Sequence, residues 1–180
     1  MDPDVEILAS LSSTIRPDYQ DPSNKWDGSP FDWIRSRPSR QRGAIAERLV
    51  AGWCAAKGAD VTRSTSSQAD RYINGHRYEI KFSTLWESGV YKFQQIRDQE
   101  YDYLLCLGLA PFEASCWVIP KSILLDHVIG FMGQHTGAAG TDTAWISFRS
   151  NRPYEWMQPY GGTLADAWEV IESLGRGQYR

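Results

Sequence analysis

Between residues 41 and 57 apolar side chains return every three or four positions, with Ala46, Leu49, Val50, Trp53 and Ala56 on one stripe and Gly58 as a stop. That spacing predicts a helix over about 41–57. Glu47 lies about 100° round from Ala46 and so borders the stripe. The period then changes. "ADVTRST" (59–65) predicts a first strand, and in "HRYEIKFS" (76–83) Tyr78, Ile80 and Phe82 alternate with Glu79 and Lys81. A two-residue period of this kind is a strand with one core face and one charged face. "YLLCLGLA" (103–110) is apolar without alternation, as in a strand buried on both sides. "ASCWVIP" (114–120) and "AWISFRS" (144–150) predict two more strands, the second being the last in the chain. Phe93 and Ile96 in "SGVYKFQQIRDQEY" (88–101) stand at helical spacing and predict a shorter helix, and "KSILLDHVIGF" (121–131) starts as another. In "TLADAWEVIESLG" (163–175), Thr163 and Asp166 form a capping-box pattern ahead of an apolar face of Leu164, Trp168 and Ile171. Residues 1–31 offer few apolar anchors (Val5, Ile7, Leu8, Leu11) and read as a short helix followed by a long loop that wraps the domain.

The order of these elements describes a three-layer mixed α/β domain without internal repeats. At 180 residues the chain is read as one domain, 1–180, with an N-terminal arm (1–40), a core (41–125) and a C-terminal extension (126–180). No apolar run approaches the ~20 residues of a membrane span, and the N-terminus has neither a basic nor an apolar signal region. The expectation is a soluble, cytoplasmic protein with no membrane partner. Cys54, Cys106 and Cys116 sit in apolar stretches without metal-ligand spacing and read as buried free thiols, and the three histidines are scattered. A net charge of −3 decides nothing about nucleic acid, because a local patch matters more than the sum. One such patch is "WIRSRPSRQRG" (33–43), where Arg35, Arg37, Arg40 and Arg42 occur with no acid among them. It reads either as a solvated basic loop or as an arm that contacts phosphates. The aromatic residues Trp145, Tyr154, Trp156 and Tyr160 read as packing residues rather than base-stacking platforms.

The sharpest chemistry lies in "DRYINGHRYEIK", residues 70–81. Asn74-Gly75 is the favoured pair for a two-residue type I′ turn, which needs positive φ at both positions. With that turn Ile73 faces His76, Tyr72 faces Arg77, Arg71 faces Tyr78 and Asp70 faces Glu79. Two carboxylates about 5 Å apart repel by roughly 3 kcal/mol at an effective dielectric near 20. Compensation can come from a shared proton, from a salt bridge to Lys81 or Arg77, or from a divalent cation such as Mg²⁺ held by carboxylates, waters and phosphate oxygens. Lys81 projects from the same face as Glu79, one pleat on, about 6.5–7 Å away.

This stretch, with the helix before it, resembles the PD-(D/E)xK nuclease superfamily, which includes type II restriction endonucleases. The motif is Asp70 followed by Glu79-Ile80-Lys81, and the resemblance covers about residues 41–120. Ala69 stands where the pattern has Pro, and no Gln-x-x-x-Tyr follows. The resemblance implies a three-layer restriction-endonuclease-like α/β fold with a central mixed β-sheet flanked by helices. It implies that Asp70, Glu79 and the Ile80 carbonyl bind Mg²⁺, for which Mn²⁺ can stand in, and that Lys81 orients the attacking water. Glu47 matches the glutamate many members carry on the preceding helix. Double-stranded DNA would be the partner and a homodimer the assembly, since two-fold DNA is matched by two-fold protein. Gln94 and Gln95, the Gly-rich 133–142 loop, Arg149 and Arg152 join the Arg-rich segment as candidate DNA contacts. The implied activity is a sequence-specific type II restriction endonuclease. A junction resolvase, a nicking enzyme or a non-catalytic DNA-binding module on the same fold are the alternatives.

Overall fold

The computed structural model of the chain describes residues 3–15, 24–133 and 143–176. Its middle is β5 (Tyr103–Leu109), whose side chains are buried on both faces, as the unbroken apolar run requires. β5 pairs in parallel with β3 (His76–Thr84) and antiparallel with β6 (Ala114–Pro120). β1 (Val61–Arg63) and β2 (Arg71–Ile73) extend the β3 side, and β8 (Gly161–Thr163) closes the β6 side of this six-stranded mixed sheet.

Three layers follow from the two faces of that sheet. On one face α3 (Ser39–Ala56) and α5 (Leu164–Gly175) lay Val50, Cys54, Ala167 and Ile171 on Ile80, Leu105 and Val118. On the other, α4 (Lys121–His127) and a pair of strands, β4 (Val90–Ile96) and β7 (Ala144–Arg149), bring Leu124, Tyr91, Phe93 and Phe148 against Cys106, Trp117 and Ile119. The fold is the expected α/β type with a central mixed sheet flanked by helices, and a two-stranded ribbon shares the second flank. The capping box on α5 is present in both directions between Thr163 and Asp166. Cys54, Cys106 and Cys116 are buried free thiols, and burial pushes the Cys54 thiol up to about 12. No helix among the described residues is long and apolar enough to cross a membrane.

Several expectations need correction. Residues 88–101 hold the strand β4, not a helix. The ladder runs from Val90↔Arg149 to Phe93↔Ile146 and resumes at Ile96↔Ala144, so β4 carries one extra residue, and Gln95 adopts a φ of 57°. A bulge inserted into a two-residue period makes Phe93 and Ile96 face inward three positions apart, which imitates a helix. "AWISFRS" is not the last strand, because β8 follows a 3₁₀ helix over Glu155–Tyr160. Gly-Gly-Thr has little β-propensity, and its strand role rests on close approach: a Cβ on Gly161, at φ 137°, would lie 2.2 Å from the Cys116 carbonyl oxygen. At the N-terminus the expected short helix is α1 (Pro3–Ile15), which buries none of its residues, and residues 16–23 of the loop after it lie outside the described residues. Residues 24–31 do dock, with Trp26 buried and the Ser29 hydroxyl donating to the Pro111 carbonyl. The Arg-rich segment is a loop only at residues 36–38, which hold Arg37: Arg35 ends α2 (Asp32–Arg35), and Arg40 and Arg42 lie in the opening turns of α3. The Gly-rich loop lies outside the described residues except Gly133, which bridges to Ala144.

Candidate active site

Asn74 and Gly75 have φ of 49° and 82°, the pair of left-handed residues a type I′ turn needs. The register follows as expected, with Ile73 opposite His76, Tyr72 opposite Arg77 and Arg71 opposite Tyr78. Asn74 also pins the hairpin to the entry of β1: its side-chain oxygen accepts from Asp60 N at 3.0 Å and its own N–H donates to Asp60 O at 2.8 Å.

The ladder ends there, and the facing pair Asp70–Glu79 does not form. The Asp70 N–H donates to the Tyr78 carbonyl at 2.8 Å, while the Asp70 carboxylate crosses to accept the Ile80 N–H at 2.7 Å. A side chain here stands in for the backbone partner that β2 is too short to supply. In an antiparallel pair the N–H and C=O of one residue point to the same side. The Ile80 carbonyl therefore lies on the strand edge that Asp70 occupies. Glu79 is only 8% exposed, and its Oε1 accepts from Lys81 Nζ at 2.6 Å. Arg77 is not its partner, since Asp102 takes the Arg77 backbone N–H and guanidinium, each at 2.8 Å at the closest.

α3 carries Glu47 to the same place. Its Oε2 lies 3.3 Å from Arg71 Nη2, and Arg71 Nη1 donates to the Asp70 carbonyl at 2.9 Å. Burial first, and then the charge of Asp70, hold the Glu47 carboxyl above its ordinary value, against the pull of Arg71 and Arg63. Glu79 is raised chiefly by burial; Lys81 opposes this, Asp70 adds to it, and Arg97 lowers it again. Glu47 and Glu79 are thus both raised, first by burial and further by the charge of Asp70, and the cations around them only partly offset this. A carboxylate whose charge is disfavoured by burial gains from a bound cation.

Among the described residues no three His, Cys, Asp or Glu side chains form a group able to hold a metal ion by themselves. The oxygen donors available are two carboxylates, Asp70 and Glu79, and the main-chain carbonyl between Glu79 and Lys81. That set fits Mg²⁺, which takes one or two carboxylates and keeps several waters.

Reading the sequence missed Arg71, Arg97 and Tyr101. Tyr101 is buried, donates its hydroxyl to the Arg97 carbonyl at 2.8 Å, and is raised by burial and then by the charge of Glu79. Arg71 stands beside Asp70, but nothing in one sequence signals its partner 24 positions earlier on α3. Arg97 follows the bulge that disguised β4. The remaining candidates lie apart from this cluster. Arg35 pairs with Asp32 at 3.2 Å and lies over the Trp26 ring, while Arg37 and Arg42 donate to Ser36 and Ser39. Gln94, Gln95, Arg149 and Arg152 are exposed, the first two in the β4 bulge. None of Trp145, Tyr154, Trp156 and Tyr160 is fully buried.

The chain matches no known family model and no curated protein. Among solved structures it is similar to a bacterial homing endonuclease, with a TM-score of 0.51 and 16% identity, over 78% of this chain and 96% of that one. It is also similar to a restriction endonuclease in complex with substrate DNA, with a TM-score of 0.34 and 16% identity, over 73% of this chain and 79% of that one. The first likeness shows a shared fold.

Proposed function

We propose that the chain is a Mg²⁺-dependent endonuclease that hydrolyses DNA phosphodiester bonds to 5′-phosphate and 3′-hydroxyl ends, as a type II restriction enzyme does. The observation that carries the reading is the convergence at the end of one hairpin: the Asp70 carboxylate on the Ile80 N–H, and Glu79 bonded to Lys81 on the adjoining pleat. Asp70, Glu79 and the Ile80 carbonyl would hold the cation. When bound, it supplies charge stabilisation at the phosphate and lowers the pKa of its water.

The chain's own groups do the rest. Lys81 has three ammonium protons, of which Glu79 takes one, leaving donors to orient a water in line with the phosphorus or to balance the phosphate charge. Tyr101, itself buried, lies near enough to Glu79 to feel its charge and limits solvent there. Glu47 adds a third carboxylate whose charge Arg71 moderates. The fold shared with a homing endonuclease agrees with this chemistry. Duplex cleavage by one small site per chain further implies a homodimer, checked by light scattering on the full chain.

Incubation with Mg²⁺ and long duplex DNA tests the reading. Discrete bands are expected. Asp70→Ala should lower the cleavage rate by about 10³-fold, equivalent to about 4 kcal/mol of transition-state stabilisation, while DNA binding persists. Cutting of branched DNA alone would identify a resolvase, and retention without cutting a binding module. Full activity in Asp70→Ala would remove the site.

A further inference from the structure

The two-stranded ribbon of β4 and β7 has burial that alternates except at the β4 bulge. Tyr91, Phe93, Ile146 and Phe148 face the core, whereas Lys92 and Ser147, directly paired, face outward with Val90 and Arg149 beside them. A packing role explains the inner face, while among the described residues the outer one is half-buried at Val90, Lys92, Trp145 and Ser147 and exposed at Gln94, Gln95 and Arg149. Its chemistry is specific: the two strands carry Lys92 and Arg149 and no Asp or Glu, and Arg152 is bridged to Arg149. The bulge sets Gln94 and Gln95 together, both exposed, opposite Trp145. A glutamine at φ 57° is an unfavourable backbone state, of the kind that re-aims side chains at working sites. Lys92 is held upright, its ammonium 3.8 Å from the centre of the Trp86 ring and 5.6 Å from that of Trp145.

We propose that this outer face enters the major groove of duplex DNA and reads base edges next to the bond cut at the hairpin site. The inference rests on the nuclease reading and adds the element that confers sequence preference. A two-stranded antiparallel ribbon fits the groove, about 12 Å wide. Its positive charge, unbroken by acids, complements the phosphates on either side. Glutamine amides pair with adenine N6 and N7, and an arginine fork pairs with guanine O6 and N7. The ribbon is also fixed to the catalytic strand, because the Ser83 hydroxyl of β3 accepts the Lys92 N–H at 2.9 Å. Arg97, one residue past β4, lends its charge to Glu79. Groove reading and cutting are thus joined by a short, hydrogen-bonded path.

Selection of cleaved sites from a randomised duplex library with Mg²⁺ tests this, using the full chain and the variants Gln94→Ala, Gln95→Gly and Arg149→Ala. Glycine at 95 keeps the backbone state and removes only the side chain. The unaltered protein should return a preferred sequence, and each variant should relax the preference at one or two base pairs by about 5- to 150-fold while the others persist. Unchanged preferences in all three variants would overturn the ribbon's role and leave the nuclease intact, as would cleavage by the unaltered protein without base preference. Unchanged preferences with a smaller species in solution would assign the face to a second copy of the chain and likewise overturn the proposal. Failure of the unaltered protein to cut any duplex would overturn the nuclease reading and this inference with it.

Discussion

The β2–β3 hairpin and the β4–β7 ribbon are both antiparallel strand pairs, and they differ in how each strand finds its partner. In the hairpin the two residues Asn74 and Gly75 connect the strands and set their register. In the ribbon the partners are separated by β5, β6 and α4, and the register carries a bulge. The first is held by local turn chemistry. The second is held by packing, with Tyr91, Phe93 and Phe148 ringed round Trp117 at centroid distances of 5.1–6.4 Å. The two carboxylates proposed to hold the cation sit on or beside the locally determined pair. The face proposed to read DNA sits on the pair determined at long range.

Substitutions can break that contrast. The largest effect is expected from one glycine inserted between Asn74 and Gly75, which shifts the facing of β2 against β3 and separates Asp70 from Ile80. Cleavage should fall by about 10³-fold, as for loss of a metal ligand, in a plasmid-nicking assay. Gly108→Ala acts on the other pair, because its new Cβ would lie 2.8 Å from Cζ of Tyr91 on β4. Overpacking of this sort costs about 1–3 kcal/mol, or several degrees in thermal unfolding, with the register of the hairpin unaffected. Ser83→Ala strips the Lys92 N–H of its partner at the join between the two units. A loss of about 1–2 kcal/mol in urea unfolding is expected, smaller if water reaches the freed N–H.

The same contrast explains what could be read from one sequence. α3, β3, β5, β6 and the capping box on α5 each announce themselves within a dozen residues, through a single period or a cap. The type I′ turn fixed the hairpin register up to Arg71↔Tyr78. It could not tell that β2 stops there, so the carboxylate of Asp70 caps Ile80 instead of facing Glu79. β4 was misread because its bulge turns a period of two into a spacing of three. β8 has no propensity signal, and Arg71 with Glu47 is a tertiary pairing between a helix and a strand. The motif residues were legible, whereas the groups that tune them were not.

The central claim is that the end of the hairpin holds a divalent cation. Titration with Mn²⁺, followed by electron paramagnetic resonance of the free ion, measures this without relying on cleavage. The unaltered protein should bind at a site that Asp70→Asn removes. Glu79 must ionise to serve as a ligand, and burial keeps its carboxyl above the ordinary value of 4.5. Acidification should therefore begin to weaken Mn²⁺ binding at a higher pH than for an exposed glutamate. Equal Mn²⁺ affinity in the unaltered protein and in Asp70→Asn would contradict the account.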